Sequence, residues 1–422
     1  MSKVAIDEQA IPKFAVFFAY AYLFIYYTRP QDNVPGLDLI PWVGALFLLM
    51  TIWGWSRVRF EYFSSPFGLV FWLGIAFVLS GMGAISVISY KMGFKWIFQT
   101  FPQCIMLFTV FCTAMRFRSL LTLWSIIYFV MAVFTIKNAP LGPGDFTRDP
   151  NDAAMALSMG IPFVFYANTL SGLSRWRRVF NYFTIALLFY AIVLTSSRGG
   201  FLGLVAVLLT MWWLSQSRVK IAALASVLII SGGALLITLL PSQYIADMKS
   251  INDKNDSTRI ERFRSWEIGW LMFKDNPLLG VGAGNYSNTV HLYQEQASWW
   301  TGREKSLSGR QSHSLYFQVL PDLGLAGVLI YGYIIFVAPL KLLLLRKKLV
   351  GHPQEELLLV YCNAMVAAMA SYAIAGAFIS VAYYPHLPIW ITMYSILMWI
   401  YRKGWTSGLP ACDKEPFLNK RF

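Results

Sequence analysis

The sequence predicts an all-α, polytopic integral membrane protein with about twelve transmembrane helices and one large periplasmic loop. Three observations predict it. Of the 422 residues, 57% are hydrophobic and only 13% charged, whereas a soluble domain carries roughly 25% charged residues. The apolar residues gather in stretches long enough to cross about 30 Å of hydrocarbon as helices. The excess of 35 basic over 21 acidic residues, a net charge of +14, sits mainly in alternate short connections. The same composition excludes a disordered, collagen-like, coiled-coil or disulfide-scaffold protein.

In chain order the expected spans are 12–28, 38–56, 66–89, 94–115, 119–136, 153–171, 179–196, 199–216, 219–240, 315–344, 358–382 and 386–401. All are far longer than the alternating strands of a membrane barrel, so they read as helices. No cleavable signal is expected, because the first apolar run, from Ile11 to Tyr27, is followed by further spans. Cys104, Cys112 and Cys362 fall in spans and Cys412 in the tail, with neither disulfide-framework nor metal-site spacing.

Twelve spans put both termini on one side. That side holds Lys3, Lys13, Arg57, Arg59, Arg116, Arg118, Arg175, Arg177, Arg178, Arg218, Lys220, Lys341, Arg346, Lys347, Lys348 and a basic tail, about 20 basic residues in all. The short loops opposite hold about 6. By the positive-inside rule both termini are cytoplasmic. The net charge is therefore a topological signal rather than a nucleic-acid footprint. The expected organisation is an N-terminal membrane region over 1–240, a periplasmic loop over 241–312, and a C-terminal membrane region with its tail over 313–422.

The long loop balances nine basic against eight acidic residues and carries Trp266, Trp270, Trp299 and Trp300. Loops of this length without a purpose are uncommon. A helix is expected from Thr258 to Phe273, ending before a turn at Pro277 to Gly284. Residues 179–216 as one helix would reach about 55 Å, nearly twice the hydrocarbon core. The chain must turn at Ser196-Ser197-Arg198-Gly199-Gly200, which places Arg198 on the outer side beneath the loop. There it either snorkels to lipid headgroups or serves a site.

His313 stands where the loop re-enters the membrane. Arg198, the Arg259, Arg262 and Arg264 cluster, and His313 thus reach one interface from separate segments. Guanidinium forks match phosphate oxygens, and an imidazole takes a proton near neutral pH. Together they suggest chemistry on a phosphorylated substrate. Asp322 follows His313 by nine residues, about 180° around an unbroken helix, so it is expected to cap or polarise the helix near Pro321 rather than orient the imidazole. His291, His352 and His386 read as incidental. The sequence lacks Asp-x-Asp, His-Glu-x-x-His, P-loop and Gly-x-Ser-x-Gly patterns, the usual residues of a metal-dependent sugar transferase, an ATPase or a serine hydrolase.

Four segments between about 145 and 327 resemble the O-antigen ligase and O-antigen polymerase superfamily. They are Asp149-Pro150-Asn151-Asp152, Ser197-Arg198-Gly199-Gly200, Arg262 to Trp266 followed by Asn276 to Tyr286, and His313-Ser314-Leu315 followed by Asp322 to Gly327. The family more often has Glu where Asp322 stands. The resemblance implies a C-type glycosyltransferase-like, metal-independent, inverting transfer without a cofactor. Its donor would be an undecaprenyl-diphosphate-linked glycan, its acceptor a hydroxyl, most simply of lipid A–core, at the outer face of the inner membrane. Arg198 and Arg262 would neutralise the leaving diphosphate, with Arg259, Arg264 and Arg310 in reserve. His313 would be the general base, and Asp149 and Asn151 would shape the pocket. Trp266, Trp299 and Trp300 would stack on sugars or anchor the loop. A polymerase or a protein O-glycosylation ligase fits the same residues. A transporter fits less well, because the charges gather at one face rather than near the midplane.

Overall fold

A computed structural model describes residues 11–36, 40–215 and 257–406. The expected span 219–240 and the first part of the long loop lie outside the described residues. Within them the regular structure is all α-helical, with short 3-10 and π turns. The helices are α1 Lys13–Thr28, α2 Ile40–Ser56, α3 Gly68–Ser80, α4 Ile88–Lys95 continuing as Phe101–Phe111, α5 Ala114–Asn138, α6 Pro150–Ala167, α7 Arg175–Leu194 and α8 Arg198–Leu214. After the undescribed stretch come α9 Ser257–Asp275, α10 Tyr286–Tyr293, α11 Tyr316–Gly332 continuing as Ala338–Arg346, α12 Glu355–Gly376 and α13 His386–Thr406.

Helix starts follow local chemistry. Thr113, Asp149, Ser174 and Ser197 each turn a side-chain oxygen onto the first-turn amides of α5, α6, α7 and α8, and Pro150 occupies the first helical position of α6. Ala114–Asn138, Arg175–Leu194, Tyr316–Arg346 and Glu355–Gly376 are long and apolar enough to cross a membrane. Trp42–Ser56, Gly68–Gly83 and Arg198–Leu214 are shorter apolar helices. The outward face of α2 leaves Trp42 72%, Leu48 60% and Ile52 59% exposed, an arrangement suited to hydrocarbon rather than water.

Two expected spans are too long. The stretch 66–89 is helical only over Gly68–Ser80 with a 3-10 turn at Gly81–Gly83. The chain then opens, and the next helix starts at Ile88. The stretch 358–382 ends as a helix at Gly376, because residues 377–385 spend their polar groups on other segments. Hydropathy alone does not mark either break. The turn expected at Ser196 to Gly200 is present between α7 and α8.

One apolar core joins the N-terminal and C-terminal helices, with Trp124, Phe101, Tyr361 and Trp390 fully buried in it. α8 packs tightly against α6 and α12. A Cβ on Gly200 would stand 2.1 Å from the Ala154 Cβ, and one on Gly203 would stand 2.9 Å from the Ser371 Oγ. Small residues permit this close helix approach. The segment from α9 to α11 has its own small core of Ile268, Met272, Val281, Tyr286, Val290, Ala297 and Leu307. α9 contributes the buried stripe Ser265, Ile268, Gly269 and Met272, the one-face spacing of a helix.

Candidate active site

The junction between the turn after α9 and the start of α11 is built from main chain. Val281 N–H donates to the Pro321 carbonyl at 2.8 Å and Gly282 N–H to the Asp322 carbonyl at 3.0 Å. In return, Leu325 N–H donates to the Pro277 carbonyl at 2.8 Å and Ala326 N–H to the Leu278 carbonyl at 3.2 Å. The turn after α9 and the start of α11 therefore clasp each other. Gly280 has φ +72°, and its Cβ would meet the Pro321 carbonyl oxygen at 2.4 Å. Gly324 has φ +59°, and its Cβ would meet the Leu278 carbonyl carbon at 2.6 Å. Only glycine fits both the handedness and the approach.

Asp322 lies at the centre of the clasp and is fully buried. It accepts from Gly284 N–H at 3.0 Å, Tyr286 N–H at 2.8 Å and the Tyr383 hydroxyl at 2.7 Å. It therefore anchors the glycine-rich turn rather than capping a helix near Pro321. α11 is not unbroken there, since Gly324 kinks it. The break between α3 and α4 supports the turn from below. Ser80 Oγ accepts from Ala283 N–H at 3.0 Å, Ser89 Oγ donates to the Ala283 carbonyl at 3.1 Å, and Asn285 Nδ2 donates to Ser89 Oγ at 2.8 Å.

His313 adopts a left-handed conformation, with φ 49°, which few non-glycine residues do outside functional or over-determined sites. It is clamped on both sides. Ser312 Oγ donates across it to the Ser314 carbonyl at 3.0 Å, Trp266 Nε1 donates to the Ser312 carbonyl at 3.0 Å, and Leu315 N–H donates to the Gly376 carbonyl at 2.6 Å. Part of the residue reaches solvent, while the imidazole is partly enclosed, with Arg262, Asp149, Arg310 and Glu261 within electrostatic reach. Desolvation by the surrounding protein, then the Arg262 charge, push its pKa below the usual imidazole value. The ring is therefore neutral, and able to accept a proton, at neutral pH.

The Asp149 and Arg198 elements meet through side chains. Asp149 Oδ1 caps α6 by accepting from Asn151 N–H at 2.8 Å and Asn151 Nδ2 at 3.0 Å. Asn151 Oδ1 in turn accepts from Ser197 Oγ at 2.7 Å, while Ser197 Oγ accepts from Gly200 N–H at 2.8 Å. Two helix N-termini are thus tied together, and Arg198 opens the second of them.

The expected residues divide accordingly. Arg262, Arg310, Asp149 and His313 come together, with Arg310 ion-paired to Glu261. Asn151 and Arg198 join through Ser197. Arg262 stacks over the Phe378 ring at 5.9 Å, and a Cβ on Gly199 would stand 3.3 Å from the Phe378 Cβ, so Phe378 links the two groups. Arg264 instead faces Trp299 at 4.7 Å and Arg259 faces Phe263 at 5.7 Å. Trp266 stacks on Phe317 with centroids 5.1 Å apart and braces the His313 turn.

Sequence reasoning missed the connection 377–385, which supplies Phe378, Ser380, Tyr383 and Tyr384. It also missed Asp152, whose buried carboxylate accepts from the Tyr384 hydroxyl at 2.8 Å. The available signal was two tyrosines before Pro385, hidden because the connection is apolar enough to extend a span.

Fold and contacts define a many-helix protein, with several helices of membrane-crossing length, in which Arg262, Arg310 and Asp149 stand near His313 and the N-termini of α6 and α8 are joined through Asn151 and Ser197. Residues 183–332 match the family model for O-antigen ligase, so the chain carries an O-antigen ligase domain. Three of the four resembling segments fall within the match; Asp149 to Asp152 precedes it. No curated protein matches the chain. The match covers 150 of the 422 residues, and the family it names is one of O-antigen ligase and polymerase type membrane glycosyltransferases.

Proposed function

We propose that the protein transfers a glycan from undecaprenyl diphosphate to an acceptor hydroxyl, most simply that of lipid A–core, by inverting, metal-independent displacement. Under this reading about twelve helices span the bacterial inner membrane, both termini are cytoplasmic, and residues 241–312 form a periplasmic loop between membrane regions 1–240 and 313–422. The observation that carries it is the backbone-clamped His313 set near Arg262 and Arg310.

Diphosphate is a good leaving group, so it needs charge neutralisation more than a proton. Arg262 and Arg198 supply fixed cations for its developing charge, typically the largest catalytic contribution. Arg310, partly neutralised by Glu261, stands beside them. His313 takes the acceptor hydroxyl's proton as its oxygen attacks the anomeric carbon and the carbon–oxygen bond to the diphosphate breaks. Asp149 and Asn151 hold the shape of the donor side. Arg259, Arg264 and Trp266 act at one remove, as loop-building residues.

Purified protein incubated with a polyprenyl-diphosphate glycan and lipid A–core should yield one coupled product that survives chelation. A ladder formed without lipid A–core identifies a polymerase instead, coupling only to a protein identifies an O-glycosylation ligase, and loss of activity on chelation overturns metal independence. Translocation of the lipid-linked glycan without any bond transfer identifies a transporter.

A further inference from the structure

Consecutive tyrosines in the connection between α12 and α13 hold two buried carboxylates that belong to opposite sides of the site. Tyr383 donates to Asp322 at 2.7 Å and also accepts from Gly284 N–H at 3.2 Å. Asp322 is the anchor of the clasp, nine residues after His313. Tyr384 donates to Asp152 at 2.8 Å, the residue following Asn151 in the first turn of α6. Pro385 restricts the backbone of Tyr384 to extended conformations, which limits how the pair can be presented.

The rest of the connection makes the same two-sided engagement. On the His313 side, Ser380 Oγ lies 3.3 Å from Ser312 Oγ, Ala382 N–H donates to Gln318 Oε1 at 3.0 Å, and the Ala382 carbonyl accepts from the Tyr331 hydroxyl at 2.6 Å. Towards the Arg198 turn, the Phe378 Cβ is the nearest neighbour a side chain at Gly199 would meet.

We infer that Tyr383 and Tyr384 form a two-point latch that sets the separation between the base, His313, and the donor side, Asn151 and Arg198. Both are positioning residues. The latch presupposes the glycosyl transfer proposed above, in which acceptor and leaving group occupy opposite faces of one anomeric carbon. A misplacement of about 1 Å between such groups lowers a rate about 100-fold. Asp152, Tyr383 and Tyr384 all lie outside residues 183–332, so this spacing depends in part on residues beyond the family match.

The test uses the full-length protein as Tyr383→Phe, Tyr384→Phe and the double variant, each keeping its rings. Each single change should lower kcat about tenfold or more, leave the KM for donor within about twofold, and leave the unfolding temperature within a few degrees. The double variant should lose less than the product of the single losses, as groups acting as a unit do. Losses that multiply, a change confined to KM, or losses that track unfolding overturn the latch. Hydrogen exchange reads the same coupling without turnover. Tyr384→Phe should speed exchange at 312–318 as well as at 149–153, and a change confined to 149–153 overturns the latch. A wild-type protein that transfers nothing overturns the functional proposal, and the exchange result then decides the latch alone.

Discussion

On the His313 side the geometry is carried by main chain: reciprocal backbone hydrogen bonds, glycines at positive φ and a left-handed histidine clamped by its neighbours. On the Arg198 side it is carried by side chains, through Asp149, Asn151 and Ser197, which cap two helices and join them. The two constructions fail in different ways. A main-chain clasp tolerates many side chains at its non-glycine positions but no Cβ at Gly280 or Gly324. A side-chain bridge tolerates backbone variety but depends on particular hydroxyl and amide groups.

The sharpest way to break the comparison is His313→Ala. Loss of a general base should lower transfer about 10²–10⁴-fold with unfolding unchanged; transfer at the wild-type rate by folded protein removes the base from the mechanism. Next is Gly280→Ala. A side chain in the left-handed region costs about 1–2 kcal/mol by itself, and the Pro321 carbonyl oxygen 2.4 Å from the new Cβ adds to that. The unfolding temperature should fall well beyond that of Gly302→Ala, at φ +84° with nothing within 4 Å. Equal shifts in the two variants would show the clasp to be dispensable.

Ser197→Ala removes the bridge and a helix cap together, a loss of about 1 kcal/mol, and should weaken donor binding more than it slows the chemical step. A kcat effect with unchanged donor affinity reverses that assignment. The smallest expected effect is on pH. Because burial and then Arg262 disfavour imidazolium, the acid limb of kcat/KM should fall below the usual imidazole pKa of about 6.5. Arg262→Gln removes a positive neighbour and should move that limb upward, and a downward or absent shift separates Arg262 from His313.

Much of the fold was legible because hydropathy reports helices directly. Each of the expected stretches within the described residues is helical over most of its length, and α9 lies where the helix from Thr258 to Phe273 was expected. The Ser197 to Gly200 turn was legible for a physical reason, since a single helix there would have been too long. Arginines and a histidine on neighbouring segments made a convergence of Arg198, Arg259, Arg262, Arg264 and His313 the expectation; Arg262 stands near His313, whereas Arg264 faces Trp299 and Arg259 faces Phe263. The pairings of Tyr383 with Asp322 and of Tyr384 with Asp152 were not legible, because contacts across 61 and 232 residues leave no periodic trace. The role of Asp322 was misread because helix geometry was applied from His313, which lies before the helix begins at Tyr316.

The connection between α12 and α13 is also the last part of the site to leave the ribosome. His313, Arg198 and Asn151 are all synthesised earlier, yet the groups that tie their two sides together arrive only with residues 377–385. A nascent chain that has inserted everything through α12 therefore carries every proposed reacting group without the fastening between them. Under the proposed latch, full activity would therefore require the connection that follows α12 as well as the helices made before it.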